Sequence, residues 1–180
     1  VVYSPSCYSE LKMCMQKAVY AEKGLVAIRY PRGAENPDCN NCCISTEYML
    51  MREKSSDTLI ITYGRLYNEA VSAQKILSEK GRSCDILKLT RVFPISRDVI
   101  DEITGYRTIV FFEESVGEGS ISGKFGERLV GRSYAGDYSS VTAGGFVRQA
   151  SVKECLRELG LIAEKMAEYI LDRSRNNGKA

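Results

Sequence analysis

Histidine is absent from the 180-residue sequence, and this absence excludes several enzyme classes from the chain. Ser-His-Asp hydrolysis, Cys-His proteolysis and catalysis at a His-ligated metal all need an imidazole. An excess of one charge is also missing, because 25 basic residues against 23 acidic ones leave a net charge of +2. We therefore expect no binding to nucleic acid or to a membrane surface. The longest apolar runs span four or five residues, too short for a transmembrane helix.

The composition is that of a folded protein, with 44% hydrophobic and 27% charged residues. This length suits one large domain, or a medium domain and part of another. The cysteine count is seven, an odd number, and no signal peptide is visible, so reduced thiols in the cytoplasm are expected. Cys39-Asn40-Asn41-Cys42-Cys43 contains one Cys-x-x-Cys in a polar loop. A metal or redox role for this loop is the minor alternative, because structural zinc usually needs two such pairs.

The first thirty residues predict a strand, a helix and a second strand. The chain opens with a β-branched run, as if inside a strand, so we expect it to be part of a longer protein. Residues 6–20 form the predicted helix, with Leu11, Cys14, Met15, Ala18 and Val19 on one apolar stripe. The apolar run 25–28 predicts a strand buried on both faces. Such a βαβ unit makes its two strands parallel.

Residues 33–57 are rich in turn formers and predict a linker, with a short edge strand over 48–51. After the linker, strands and helices alternate, which indicates an α/β domain. Strands are predicted over 58–63, 83–89, 108–112 and 139–142, and helices over 66–77, 96–103, 121–131, 152–159 and 162–170.

Two arginines follow the buried strand at 25–28. In Arg29-Tyr30-Pro31-Arg32-Gly33 the strand ends and presents guanidinium groups at its carboxyl edge, where ligands of α/β sheets bind. The guanidinium fork suits a phosphate or a carboxylate. Arg29 and Arg32 face opposite ways in an extended chain, so one can reach a ligand while the other holds the linker. A purely structural salt bridge remains an equal alternative.

The strand at 108–112 ends in Glu113-Glu114 and a glycine-rich turn. Adjacent strand residues face opposite sides, so these carboxylates cannot act as a pair on one substrate. We expect one to hold a neighbouring loop or subunit and the other to face solvent. The turn, Gly117-x-Gly119-x-x-x-Gly123, is one residue too long for a dinucleotide fingerprint, so close packing is favoured over nucleotide binding.

The order of these motifs resembles the 1-deoxy-D-xylulose-5-phosphate synthase family of the thiamine diphosphate-dependent transketolase superfamily. Arg-Tyr-Pro-Arg-Gly at 29–33 is the most specific string, and in that family it follows the last strand of the pyrimidine-binding domain. The other matching strings are Ser-Pro-Ser at 4–6, Glu-Leu at 10–11, Thr-Tyr-Gly at 62–64, Glu-Glu at 113–114, Gly-x-Phe-Gly at 123–126, Gly-Phe-Val-Arg-Gln at 145–149 and Leu-Gly-Leu at 159–161.

The resemblance implies an open α/β sheet with helices on both faces, preceded by the last βαβ piece of a pyrimidine-binding domain. The implied boundaries are 1–33 for that piece, 34–56 for the linker and 57–180 for a transketolase C-terminal domain. The family condenses pyruvate with glyceraldehyde 3-phosphate and releases carbon dioxide, with thiamine diphosphate and magnesium as cofactors. Arg29 is then the expected phosphate-binding residue, and Arg32 the weaker candidate. A cytoplasmic homodimer is implied.

The family's Gly-Asp-Gly…Asn segment, its activating glutamate and its histidines are not in this sequence. The chain is therefore expected to be inactive alone, to bind no cofactor and to contain no catalytic residue. Departures from the family pattern at Cys7-Tyr8 and 92–96 put substrate tuning and domain docking in question. The alternatives are a beta-type subunit of a 2-oxoacid dehydrogenase, a separate transketolase half, and a non-catalytic dimerisation module.

Overall fold

The computed structural model describes residues 1–31, 35, 45–53 and 55–177. The chain begins with β1 (Val2–Tyr3), α1 (Tyr8–Tyr20) and β2 (Ala27–Ile28), followed by β3 (Tyr48–Met51), β4 (Thr58–Tyr63), α2 (Leu66–Glu79) and β5 (Asp85–Leu89). It continues with β6 (Arg91–Phe93), α3 (Arg97–Ile103), β7 (Thr108–Val116), α4 (Ile121–Val130), β8 (Asp137–Ala143), α5 (Val152–Glu158) and α6 (Ala163–Asn177). No helix in the described residues is both long and apolar enough to cross a membrane.

A five-stranded sheet in the order β3-β5-β4-β7-β8 forms the larger part of the molecule. Strands β4, β5, β7 and β8 are parallel, and β3 pairs antiparallel with β5 at the edge. The alternation of side chains along β4 shows why the sheet is covered on both faces. Ile60 packs into a cluster with α2 and α6, whereas Leu59 and Ile61 pack into a second cluster with α3 and α4. The predicted α/β class, with helices on both faces, is confirmed.

The two strands of the first thirty residues join β6 in a smaller sheet of order β2-β1-β6. Strands β1 and β2 are parallel, as the βαβ prediction requires. Strand β6 was not predicted, and it joins this sheet antiparallel to β1 although it lies in the α/β domain's sequence. The small sheet therefore connects the N-terminal segment to the larger domain.

Burial in the N-terminal segment differs from the prediction. The predicted strand at 25–28 shortens to Ala27–Ile28, and Leu25 is 92% exposed. Helix α1 has the predicted position, but of its predicted apolar stripe Cys14 is buried while Met15 and Val19 are exposed. The apolar periodicity predicts the helix correctly, but it does not show whether another element covers the apolar stripe.

Candidate functional site

A sharp turn after β4 places two side chains at the carboxyl end of the sheet. Tyr63 is the last residue of β4, and Gly64 follows with φ +58°. A Cβ atom on Gly64 would lie 3.1 Å from the Ser4 hydroxyl oxygen and would also require a strained backbone. Glycine therefore lets the turn approach the Ser4 segment closely. The next residue, Arg65, is the N-cap of α2.

Arg29 reaches this turn from the small sheet. Its backbone N–H donates to the Tyr3 carbonyl at 2.8 Å, which extends the pairing of β1 and β2 by one residue. Its guanidinium carbon lies 5.5 Å from the centre of the Tyr63 ring, and Nη1 donates to the Tyr63 hydroxyl at 3.3 Å. The ring and hydroxyl thus orient the guanidinium group at the junction of the two sheets.

These residues surround an open cleft, which we call the arginine cleft. It is lined by Ser4, Arg29, Tyr30, Pro31, Tyr63, Gly64, Arg65 and Glu114. Arg29 forms no ion pair with any residue that the structure describes. The structural salt bridge considered for Arg29 is therefore absent from this part of the chain. Arg32, the second predicted site residue, lies outside the described residues.

The two glutamates at the end of β7 have the separate roles that strand geometry predicts. Glu113 is buried and accepts hydrogen bonds from the Tyr63 hydroxyl at 2.7 Å and from the backbone N–H groups of Ile121 at 3.0 Å and Ser122 at 2.8 Å. Glu114 faces the arginine cleft, where one carboxylate oxygen lies 3.1 Å from Arg65 Nε. One glutamate holds a loop and the other is exposed, as expected.

The Glu113 carboxylate fills the anion-binding position at the N-terminus of α4. Two amides of the first helical turn donate to it, and Ser120 caps the Gly123 amide. The glycine-rich turn therefore binds the protein's own carboxylate, in agreement with the packing interpretation. Burial and then the neighbouring Glu113 charge raise the pKa of Tyr63 well above its usual value, so its hydroxyl stays protonated and continues to donate.

A buried ion pair near the cleft was missed by the sequence analysis. The Lys88 ammonium and the Glu10 carboxylate are in direct contact, and both side chains are fully buried. Glu10 also accepts hydrogen bonds from the Ser6 amide at 2.9 Å and the Ser6 hydroxyl at 2.7 Å, and the Lys88 ammonium lies 4.9 Å from the Tyr67 ring centre. This contact fixes the turn that includes Ser4. The sequence did contain one signal of this ion pair, because a lysine lies among the apolar residues of β5.

No group of three or more histidine, cysteine, aspartate or glutamate side chains that could hold a metal occurs in the described ranges. Four cysteines are described, and all are free thiols. The loop at residues 39–43, considered for metal or redox chemistry, lies outside the described residues.

Comparisons with known proteins place the chain among transketolase-related sequences. The model of the family "Transketolase, C-terminal domain" matches residues 47–166. The 1-deoxy-D-xylulose-5-phosphate synthase of Chlorobium phaeovibrioides is 30% identical over 94% of this chain and 27% of its own length. That of Halalkalibacterium halodurans is 25% identical over 94% of this chain and 28% of its own length. The chain spans about a quarter of the length of these relatives.

Solved structures show the same fold. A chain described as "Split gene transketolase, inactive beta4 tetramer" superposes with a TM-score of 0.77 at 20% identity, covering 95% of this chain and 56% of that one. Transketolase from Campylobacter jejuni superposes with a TM-score of 0.67 at 12% identity, covering 95% and 26%. With the family model matching well over half of the residues, the chain belongs to the transketolase C-terminal domain family.

Proposed function

We propose that this chain is the C-terminal part of a thiamine diphosphate-dependent synthase that condenses pyruvate with glyceraldehyde 3-phosphate and releases carbon dioxide. The relatives that are named 1-deoxy-D-xylulose-5-phosphate synthase support the reaction. In this proposal residues 1–33 complete a pyrimidine-binding domain, 34–56 link it, and 57–180 form the C-terminal domain. The intact enzyme is a cytoplasmic homodimer, and the 180-residue chain alone is inactive.

The proposed role of this chain is to bind the phosphate group of glyceraldehyde 3-phosphate in the arginine cleft. Thiamine diphosphate and magnesium belong to other polypeptide in this proposal, because the Gly-Asp-Gly…Asn segment that holds them in the family is not in this sequence. Arg29 is the principal phosphate-binding residue, and Arg32 is a second candidate. The observation that carries the assignment is the Arg29 guanidinium group, which lines an open cleft, stacks near Tyr63 and has no carboxylate partner among the described residues.

The phosphate would be bound by charge-assisted hydrogen bonds from a donor group that is already oriented. Tyr63 lies against the Arg29 guanidinium group and is itself held by the buried Glu113 carboxylate. A preorganised guanidinium loses less conformational entropy on binding than a free one. Its planar fork can present two N–H donors to two phosphate oxygens.

The test is an Arg29→Ala substitution in the intact enzyme. Loss of one charge-assisted phosphate contact of about 2–3 kcal/mol should raise the KM for glyceraldehyde 3-phosphate roughly thirty- to 150-fold. The KM for pyruvate should not change. Arg132→Ala is the matched control, because Arg132 pairs with Asp101 outside the cleft. An unchanged KM for glyceraldehyde 3-phosphate in Arg29→Ala would remove the assignment.

A separate transketolase half is the second candidate, supported by the likeness to a split-gene transketolase chain. The two candidates differ in their products. Carbon dioxide release from pyruvate that depends on glyceraldehyde 3-phosphate supports the synthase. Transfer of a two-carbon unit between sugar phosphates, without carbon dioxide, supports the transketolase.

A further inference from the structure

A second arginine lines the arginine cleft at a position that the sequence motifs did not indicate. The Gly64 turn places Arg65 at the N-cap of α2, and its Nε atom lies 3.1 Å from a Glu114 carboxylate oxygen. The Arg65 side chain is 28% exposed and that of Glu114 is 41% exposed. A pair this exposed contributes at most about 1 kcal/mol, so a competing anion can replace its carboxylate at low cost.

The charges around the cleft favour an added anion. Arg29 and Arg65 both line it, and Glu114 is the one carboxylate among its described lining residues. The carboxylate of Glu113 lies behind Tyr63, where two amides of α4 and the Tyr63 hydroxyl already donate to it. Helix α2 begins at the cleft, so its positive end adds to the two guanidinium groups. With no ligand present, the described lining residues therefore carry a net positive charge.

We propose that Arg65 is a second phosphate-binding residue, and that Glu114 is an internal competitor that holds Arg65 until a phosphate monoester replaces it. This inference rests on the proposed function for the choice of phosphate as the ligand. A phosphate dianion has three terminal oxygens, so two guanidinium groups can bind it through different oxygens. A monocarboxylate has two oxygens and a single charge, so it should gain less from the second arginine.

The test measures binding of inorganic phosphate to the 180-residue chain and its variants by calorimetric titration. Arg65→Ala should weaken phosphate binding about tenfold, and Arg65→Lys should weaken it less because the charge remains. Glu114→Gln should tighten binding severalfold, since the competing charge is gone. Acetate should bind more weakly than phosphate and respond less to Arg65→Ala. Arg132→Ala is the matched control, and far-ultraviolet circular dichroism verifies that each variant is folded.

The variants separate failure of this inference from failure of the proposed function. If Arg29→Ala weakens phosphate binding and neither Arg65 variant does, the role of Arg65 is overturned while the Arg29 assignment stands. If neither arginine affects binding, both are overturned. Weaker binding in Glu114→Gln would show that Glu114 positions Arg65 for the ligand and would overturn the competitor role. Equal affinity for acetate and phosphate would overturn the choice of a phosphate monoester.

Discussion

The five-stranded sheet and the N-terminal segment, residues 1–31, are held in place by different kinds of contact. In the sheet, neighbouring residues of β4 enter opposite clusters: Ile60 packs toward α2 and α6, and Ile61 toward α3 and α4. Both side chains are fully buried. Apolar burial on both faces therefore stabilises this domain, at about 25 cal/mol for each Å² removed from water.

The N-terminal segment buries much less apolar surface. Its strands are two residues long, and among its apolar side chains Tyr3 and Cys14 are fully buried, whereas Val19 and Leu25 are 71% and 92% exposed. Its attachment to the domain is largely polar. Glu10 contacts Lys88, the Lys17 ammonium lies 2.7 Å from Glu47, and the Ser4 amide donates to the Thr90 carbonyl at 2.7 Å.

This difference matters for the arginine cleft because the cleft lies where the two regions meet. Arg29 comes from the N-terminal segment, while Tyr63 and Arg65 come from the domain. Apolar contacts tolerate small shifts, but an ion pair and its hydrogen bonds require one geometry. The Glu10–Lys88 contact therefore defines how the segment docks and how Arg29 meets Tyr63. A substitution that breaks the contact should affect the segment far more than the sheet.

Lys88→Met is the substitution with the largest expected effect. It leaves the Glu10 carboxylate buried without its cationic partner, and such a loss costs about 3–5 kcal/mol. We expect amides of α1 to lose protection against hydrogen exchange while those of β4 keep it, as measured by mass spectrometry. The free energy of unfolding from urea titration should fall in parallel. Equal loss of protection in both regions would contradict the proposed division between them.

The double variant Glu10→Met/Lys88→Met is the matched control for this experiment. Replacing both charges by apolar side chains of similar length removes the unpaired charge, so it should recover a large part of the lost stability. Full recovery is not expected, because the Ser6 amide and hydroxyl lose their acceptor. A double variant less stable than Lys88→Met would show that the single substitution does not act through an unpaired carboxylate.

The sequence predicted the elements of the sheet well because their signals are local. Alternating or continuous apolar residues identified β4, β5, β7 and β8, and helical periodicity identified the helices between them. Strand β6 and the Glu10–Lys88 contact were missed because both depend on partners distant in the chain. Glu10 and Lys88 are separated by 78 positions, so no local pattern pairs them. The exposure of the apolar stripe of α1 was not predicted for the same reason, because residues distant in the chain decide whether a helix face is covered.

The candidate site was predicted in part for a similar reason. Arg29 follows a strand whose end was recognisable, and the structure places it in a cleft at that end. Tyr63 ends β4, Arg65 follows it, and Glu114 lies near the end of β7. The neighbouring positions of β4 and β7 bring these three residues together, and the small sheet β2-β1-β6 brings Arg29 to them. The sequence indicated which residues end strands, but not which strand ends are neighbours. It indicated that one of the two glutamates holds a neighbouring loop, but not that this residue is Glu113 or that its partners are the first amides of α4.

Glu113→Gln examines a polar contact that lies wholly inside the larger domain. The carboxylate accepts from two amides of α4 and from Tyr63, and an amide side chain offers one oxygen and no charge. We expect a loss of about 1–3 kcal/mol in the free energy of unfolding. Loss of hydrogen-exchange protection should concentrate at Ile121 and Ser122 and leave α1 unaffected. The exposed Glu118→Gln is the matched control, and a loss as large in that variant would contradict the assignment.

The smallest expected effect is a pH dependence that separates the N-terminal segment from the domain. Burial, followed by the hydrogen bond to Glu22, raises the pKa of Tyr3 to about 12, while the unfolded value is about 10. Stability from the Tyr3 hydroxyl is thus fully present below pH 10 and is lost as the pH rises through 12, since the unfolded chain ionises first. Tyr3→Phe should cost about 1 kcal/mol at neutral pH, and this cost should shrink and then reverse in sign as the pH rises from 10 to 12, because the penalty for ionising the buried phenol then exceeds the contribution of its hydrogen bond. Urea titrations over this pH range measure the difference in unfolding free energy, with the exposed Tyr20→Phe as control.

Tyr106 and Tyr134 also have pKa values raised to about 12, and their contribution to the pH dependence is the same in the wild type and the variant. A difference between the two proteins that stays constant with pH would therefore show that the ionisation of Tyr3 does not affect the stability of the N-terminal segment.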